Sequence, residues 1–143
     1  MSCMPRDVMS VRLSSEARER LQREAARAGE APASLAEHLI EEGLRQRRHP
    51  LIRFVDGPTG RRARLMRGPD VWEIISFVQR SEAKGEDKVA HASEWFRLPG
   101  KEIEASLAYY AAFPDEIEER MRLNEEAAAE AEATASGRRR LLG

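Results

Sequence analysis

A chain of 143 residues with 34% charged and 6% aromatic side chains can build one ordinary domain or two small ones, and no single large core. Its net charge of −1 excludes a globally basic nucleic-acid binder but leaves a local basic face open. The lone cysteine, Cys3, excludes an internal disulfide framework, and the three histidines, His38, His49 and His91, lack Cys or His at ligand spacing, so no metal or cofactor is expected. No apolar run approaches the length of a membrane span and no signal peptide stands out, so a cytoplasmic protein without membrane contact is expected.

The pattern predicts a mainly α protein with short β segments. Residues 1–6 are expected to be a disordered terminus, with Cys3 a chance thiol within it. In residues 7–48, Met9, Val11 and Leu13 alternate with Val8, Ser10 and Arg12, which predicts a short strand over 8–13 with one apolar face. Ser14 suits a helix N-cap, and Glu16 suits the first turn. Ala17, Leu21, Ala25 and Ala28 recur at helical spacing, and Gly29 marks the stop. A second helix is predicted from near Ala31, with Pro32 at its first position and Leu35, Ala36, Leu39, Ile40 and Leu44 as its buried stripe. One strand and two helices cannot bury enough surface alone, and a lone strand has two open edges. Pairing of the 8–13 strands of two chains, giving a two-fold homodimer over a shared four-helix core, solves both problems.

The stretch MSVRLSSEARERLQREAARAGEAPASLAEHLIEEGL resembles the ribbon-helix-helix repressors and the VapB-type antitoxins. That resemblance implies a ribbon that enters the major groove of operator DNA, with the outer-face residues Val8, Ser10 and Arg12 reading base edges. Arg12 would bond a guanine edge with its fork, Ser10 would donate or accept, and Val8 would touch a thymine methyl. It also implies a phosphate clamp at the start of the second helix, at Ala31, Pro32, Ala33 and Ser34, acting through backbone N–H groups. Two departures weaken the clamp: Glu30 lies beside it with no Lys or Arg, and Ala31 replaces the usual Ser or Thr cap. The competing, less favoured reading of Arg12 is a solvated charge that guards an edge strand. His38 is expected on the surface.

In residues 49–112, His49-Pro50 ends the helix, and LIRFVDGPTGRRARL predicts a β-hairpin turning at Asp56–Gly60. Arg61, Arg62, Arg64 and Arg67 form a dense basic patch suited to a phosphate backbone or an acidic protein partner, or merely to water. Gly68-Pro69-Asp70 caps a helix with Val71, Ile74, Ile75 and Val78 on one face. A short helix from Glu86 or Asp87 and another after Pro99, with stripe Ile103, Leu107 and Tyr110, complete a helix-turn-helix-like outline. Its second helix would offer Lys101, Glu102, Glu104 and Ser106 to solvent, a poor match to phosphate, so a docking or scaffold role is favoured there. Trp72, Trp95, Phe96, Tyr109 and Tyr110 are expected in a core or interface, and His49 as a cap or surface residue. The stretches HPLIRFVDGPTGRRARL, VWEIISFV and LPGKEIEASLAYYAAFPDEIEERM resemble the domain of unknown function 433 family, which implies an antitoxin acting beside a PIN-like RNase toxin.

Residues 113–143 predict a C-terminal helix opened by Pro114, then a flexible tail. Ile117, Met121 and Leu123, ahead of an acidic run, are candidate toxin contacts; Arg138–Arg140 with Leu141 and Leu142 form a basic-apolar end that could plug an acidic pocket. No P-loop, Rossmann fingerprint, H-E-x-x-H helix or nucleophile elbow occurs, so an enzyme is not expected. The expected function is a type II antitoxin and autorepressor. The competing readings are a stand-alone repressor without a toxin, and an interaction protein whose ribbon joins two chains without DNA.

Overall fold

The structure is a computed structural model that describes residues 6–143. The described residues form α1 (Ser15–Ala28), α2 (Pro32–Arg48), β1 (Ile52–Val55), β2 (Arg62–Leu65), α3 (Val71–Arg80), α4 (Glu86–Phe96), α5 (Gly100–Ala112) and α6 (Pro114–Leu142). The protein is therefore mainly helical, with one two-stranded antiparallel sheet. It divides into two compact units after Leu44. Cys3 and most of the expected disordered terminus lie outside the described residues.

In the first unit the local signals act as their chemistry requires. Ser14 Oγ accepts the Ala17 N–H at 3.1 Å and closes the start of α1. Gly29 ends it in the left-handed region (φ 64°), a conformation a Cβ would disfavour, while Glu30 N–H returns to the Ala25 carbonyl at 2.9 Å. Pro32 opens α2 as expected. Two expectations are not met within one chain. Residues 8–13 carry no strand, because a strand exists through hydrogen bonds to a neighbour and one chain supplies none. The expected stripes are also largely uncovered: Ala25 alone is buried in α1, no residue is buried in α2, and Leu39, Ile40 and Leu44 are exposed.

The second unit has its own core. β1 and β2 pair as expected, with Ile52 opposite Leu65 and Phe54 opposite Ala63. This puts Ile52, Ala63 and Leu65 on the buried face and the arginines on the other. Asp70 and Glu73 form a capping box at the start of α3, Asp70 N–H donating to Glu73 Oε2 at 2.9 Å. Val71, Ile74 and Ile75 of α3 then meet Ala92 of α4, Ile103 and Tyr109 of α5 and Ile117 of α6. Burial of these side chains supplies the main stabilisation, on the order of 1.5–3 kcal/mol for each large one. The α5 face is rotated from the expected one. Ile103, Ser106 and Tyr109 are fully buried, whereas Leu107 and Tyr110 are half-buried. Ser106 is small enough to sit at the contact, and its hydroxyl donates back to the Glu102 carbonyl at 3.3 Å.

The last turn of α2 belongs with the second unit, four residues ahead of the expected boundary. Arg45 is the reason: it donates to Tyr109 Oη and Glu116 Oε1, each at 2.9 Å, and lies 3.9 Å over the Phe113 ring. His49 joins the same cluster edge-on to Tyr109, with ring centres 5.2 Å apart, so it is a packing residue and not a surface cap. α6 is helical through Leu142, over the stretch where a flexible tail was expected; its Ala- and Glu-rich composition sustains the helix without an apolar stripe.

Candidate nucleic-acid interface

The residues expected to read base edges, Val8, Ser10 and Arg12, lie in the irregular lead-in to α1 and are exposed. Ala31 links the two helices, and Pro32, Ala33 and Ser34 form the first turn of α2, all exposed. That first turn carries no acidic residue, so its N–H groups and helix dipole face solvent without an anionic neighbour in the turn. Glu30, which seemed to oppose phosphate, instead lies 2.6 Å from His38 Nδ1. Val11, Arg12, Leu13, Arg18, Leu21, Gln22 and Pro32 line a recess of about 630 Å³. Its walls are mostly apolar, and Val8, Met9, Val11 and Leu13 are all more than half exposed.

The hairpin arginines are only partly available. Arg62 Nε donates to Asp70 Oδ2 at 2.5 Å, and its Nη1 donates to the Asp56 carbonyl at 3.2 Å. Asp70 also accepts from Trp72 Nε1 at 3.1 Å. Arg62 thus locks the hairpin to the start of α3. Arg67 Nη2 donates to Glu102 Oε2 at 2.8 Å, and Arg61 meets Asp56 at 3.2 Å. This pairing corrects the α5 expectation: Lys101 and Glu104 face solvent, but Glu102 is buried beneath Arg67 and Ser106 lies in the core. Arg64 reaches Asp70 at a long 3.7 Å. Across the ladder from it stands Arg53, which lay outside the basic patch expected from the sequence. The signal was present, since pairing the two strands in register places Arg53 opposite Arg64.

The candidate toxin contacts are not free either. Ile117 is in the core and Met121 packs against it, while Leu123 is half-buried. The reason is the Phe113-Pro114 turn, which folds the first turns of α6 back onto α3 and α5. There Glu116 accepts from Tyr109 Oη at 2.5 Å and Glu118 accepts from Tyr110 Oη at 2.5 Å. Burial, and then the hydrogen bond to Glu116, push the Tyr109 phenol well above its ordinary range. The Tyr110 and Gln79 hydrogen bonds hold the Glu118 carboxyl below its ordinary value.

A separate groove of about 710 Å³ lies along α3 and α4, with Trp72, Phe77, His91, Trp95 and Phe96 in its walls. Trp95 is 68% exposed and stacks on Phe77 with ring centres 5.6 Å apart. Phe96 and Trp72 are half-buried, in keeping with the core or interface role expected of the aromatics. Among the described residues no three His, Cys, Asp or Glu side chains are placed to hold a metal ion, and no helix is long and apolar enough to cross a membrane. Comparison with protein-family models, with curated proteins and with solved structures finds no match for this chain.

Proposed function

We propose that the chain is a dimeric DNA-binding repressor of the antitoxin type, whose first unit is half of an intertwined domain. One observation carries this reading: the first unit has two well-formed helices, α1 capped by Ser14 and Gly29, but almost no interior, with Val8, Met9, Val11, Leu13, Leu39, Ile40 and Leu44 exposed. Two-helix units of this size need a partner to bury such a surface. A second copy supplies the same stripe by symmetry and offers the 8–13 segment an antiparallel neighbour. In that dimer Val8, Ser10 and Arg12 lie on the outer face of the ribbon, and the first turns of both copies of α2 meet phosphates on either side. The second unit is then a folded module for a partner, a PIN-like toxin in the antitoxin reading.

A repressor without a toxin is the second reading, and the burial of Ile117 favours it by removing an expected toxin contact. Sedimentation equilibrium, followed by gel shifts on DNA from upstream of the gene, tests the proposal. A concentration-dependent dimer that binds a specific site is expected, and Arg12→Ala should weaken it by about 1–3 kcal/mol at fixed salt. A chain that remains monomeric at micromolar concentration with no site preference sinks it. Co-purification with the product of the adjacent gene separates the antitoxin from the stand-alone repressor.

A further inference from the structure

Arg53 and Arg64 stand directly opposite each other across the β1–β2 ladder. Arg62 shares their face, two residues from Arg64 along β2. Like charges at paired positions repel, so such a face needs counter-charge. Asp70 is the acid that meets it, and its carboxylate already takes Arg62 Nε at 2.5 Å and Trp72 Nε1 at 3.1 Å. Arg64 reaches it at 3.7 Å, and among the described residues Arg53 meets no carboxylate. This face thus carries three guanidinium groups and a single carboxylate, which reaches only two of them. The Nε atoms of both Arg53 and Arg64 are shut off from water and have no hydrogen-bond partner. A buried donor without an acceptor costs about 1–3 kcal/mol, more for a charged group. Gly68 has a backbone that lets the Arg64 guanidinium lie against it: a Cβ there would sit 2.7 Å from Arg64 Nη2.

We propose that this face of the hairpin is an anion site that takes phosphate groups of a nucleic-acid backbone, with Arg53 and Arg64 as its ligands. A phosphate oxygen between the two guanidinium groups relieves their repulsion and gives each orphaned Nε–H an acceptor after rotation of the outer side-chain torsions. The local excess of positive charge is two, so a single carboxylate leaves half of it unmatched. A nucleic-acid strand carries regularly spaced charges on its own backbone and can meet both arginines at once. An acidic peptide would have to immobilise two rotamer-rich side chains to do the same. The site is independent of residues 8–13 and reads no sequence, so it adds affinity and salt dependence without base preference.

The test uses the full chain with two probes, inorganic phosphate and a duplex of arbitrary sequence. On titration with phosphate, against chloride at equal ionic strength, the Nε–H resonances of Arg53 and Arg64 are expected to move. Arg53→Gln should lower the slope of log K against log salt for the duplex by about 1. Arg12→Ala should leave that slope difference in place, which separates this site from the ribbon. If Arg53→Gln fails to fold, the resonance shifts in the unaltered protein decide alone. Phosphate that moves other arginines but not these two overturns the proposal. So do equal salt slopes for a folded Arg53→Gln variant, or poly-glutamate binding more tightly than duplex at matched salt.

Discussion

α2 and α3 are both amphipathic in sequence, yet α2 buries none of its 17 residues and α3 buries Val71, Ile74 and Ile75 out of 10. The difference does not lie in the helices. Each begins and ends where its sequence says it should. It lies in what the chain places opposite the stripe: a hairpin and three helices for α3, and nothing of matching size for α2 within its own unit. An apolar stripe therefore carries two messages. Where the chain covers it, it describes a core; where the chain leaves it open, it motivates the partner proposed above.

Paired truncations press hardest on this contrast. Ile75→Ala removes a fully enclosed side chain and should cost about 2–5 kcal/mol, read as a lower urea midpoint of the second unit. Leu39→Ala is the discriminating partner experiment. In an isolated chain Leu39 is half exposed and its truncation should cost no more than about 0.5 kcal/mol. In a dimer it should cost about 2 kcal/mol, with a melting temperature that rises with protein concentration. A small effect at every concentration would mean that nothing covers the stripe.

The same contrast explains what could be read from the sequence. Ser14, Gly29, Pro32, the Ile52/Leu65 hairpin and the Asp70 cap were legible because each is a local signal set within a few residues. The 8–13 alternation was legible, but a strand there needs a hydrogen-bonding neighbour that one chain does not supply. The rotation of α5 was not legible. Leu107 and Tyr110 are larger and more apolar than Ser106, and only the approach of α3 and α4 selects the face where a serine fits. For the candidate site, sequence located the basic hairpin but not the division of labour within it. Nothing local announces that Asp70 engages Arg62 while Arg53 is left without a carboxylate. The burial of Ile117 was not legible for the same reason: an apolar residue ahead of an acidic run looks alike whether it faces a partner or a core.

Tyr109 gives a smaller effect with a sign. Tyr109→Phe should cost about 1 kcal/mol at neutral pH, because Arg45 still reaches Glu116 directly at 2.9 Å. In the fold the phenol is held protonated above its ordinary value of 10.0 by burial and by Glu116. Between the unfolded and folded values the native state binds the extra proton, so stability must fall as pH rises beyond about 10. Thermal melts from pH 8 to 11 should show the unaltered protein losing its advantage over Tyr109→Phe in the alkaline range. Parallel curves would mean that the phenol titrates alike in both states.

An effect of similar size probes the first unit where it is weakest. Ser14→Ala removes the acceptor for the Ala17 N–H and should cost α1 about 1 kcal/mol. A helix of 14 residues with one buried side chain has little else to hold it. If the unit stands alone, that loss should unwind α1 visibly, as reduced helical circular dichroism and faster amide exchange over residues 17–21. If two copies interlock, packing dominates and the same substitution shifts the melting midpoint slightly while the helical signal stays. Because a cap acts locally and an interface acts globally, the ratio of lost helicity to lost stability measures how much of α1 is held by its own sequence and how much by a second chain.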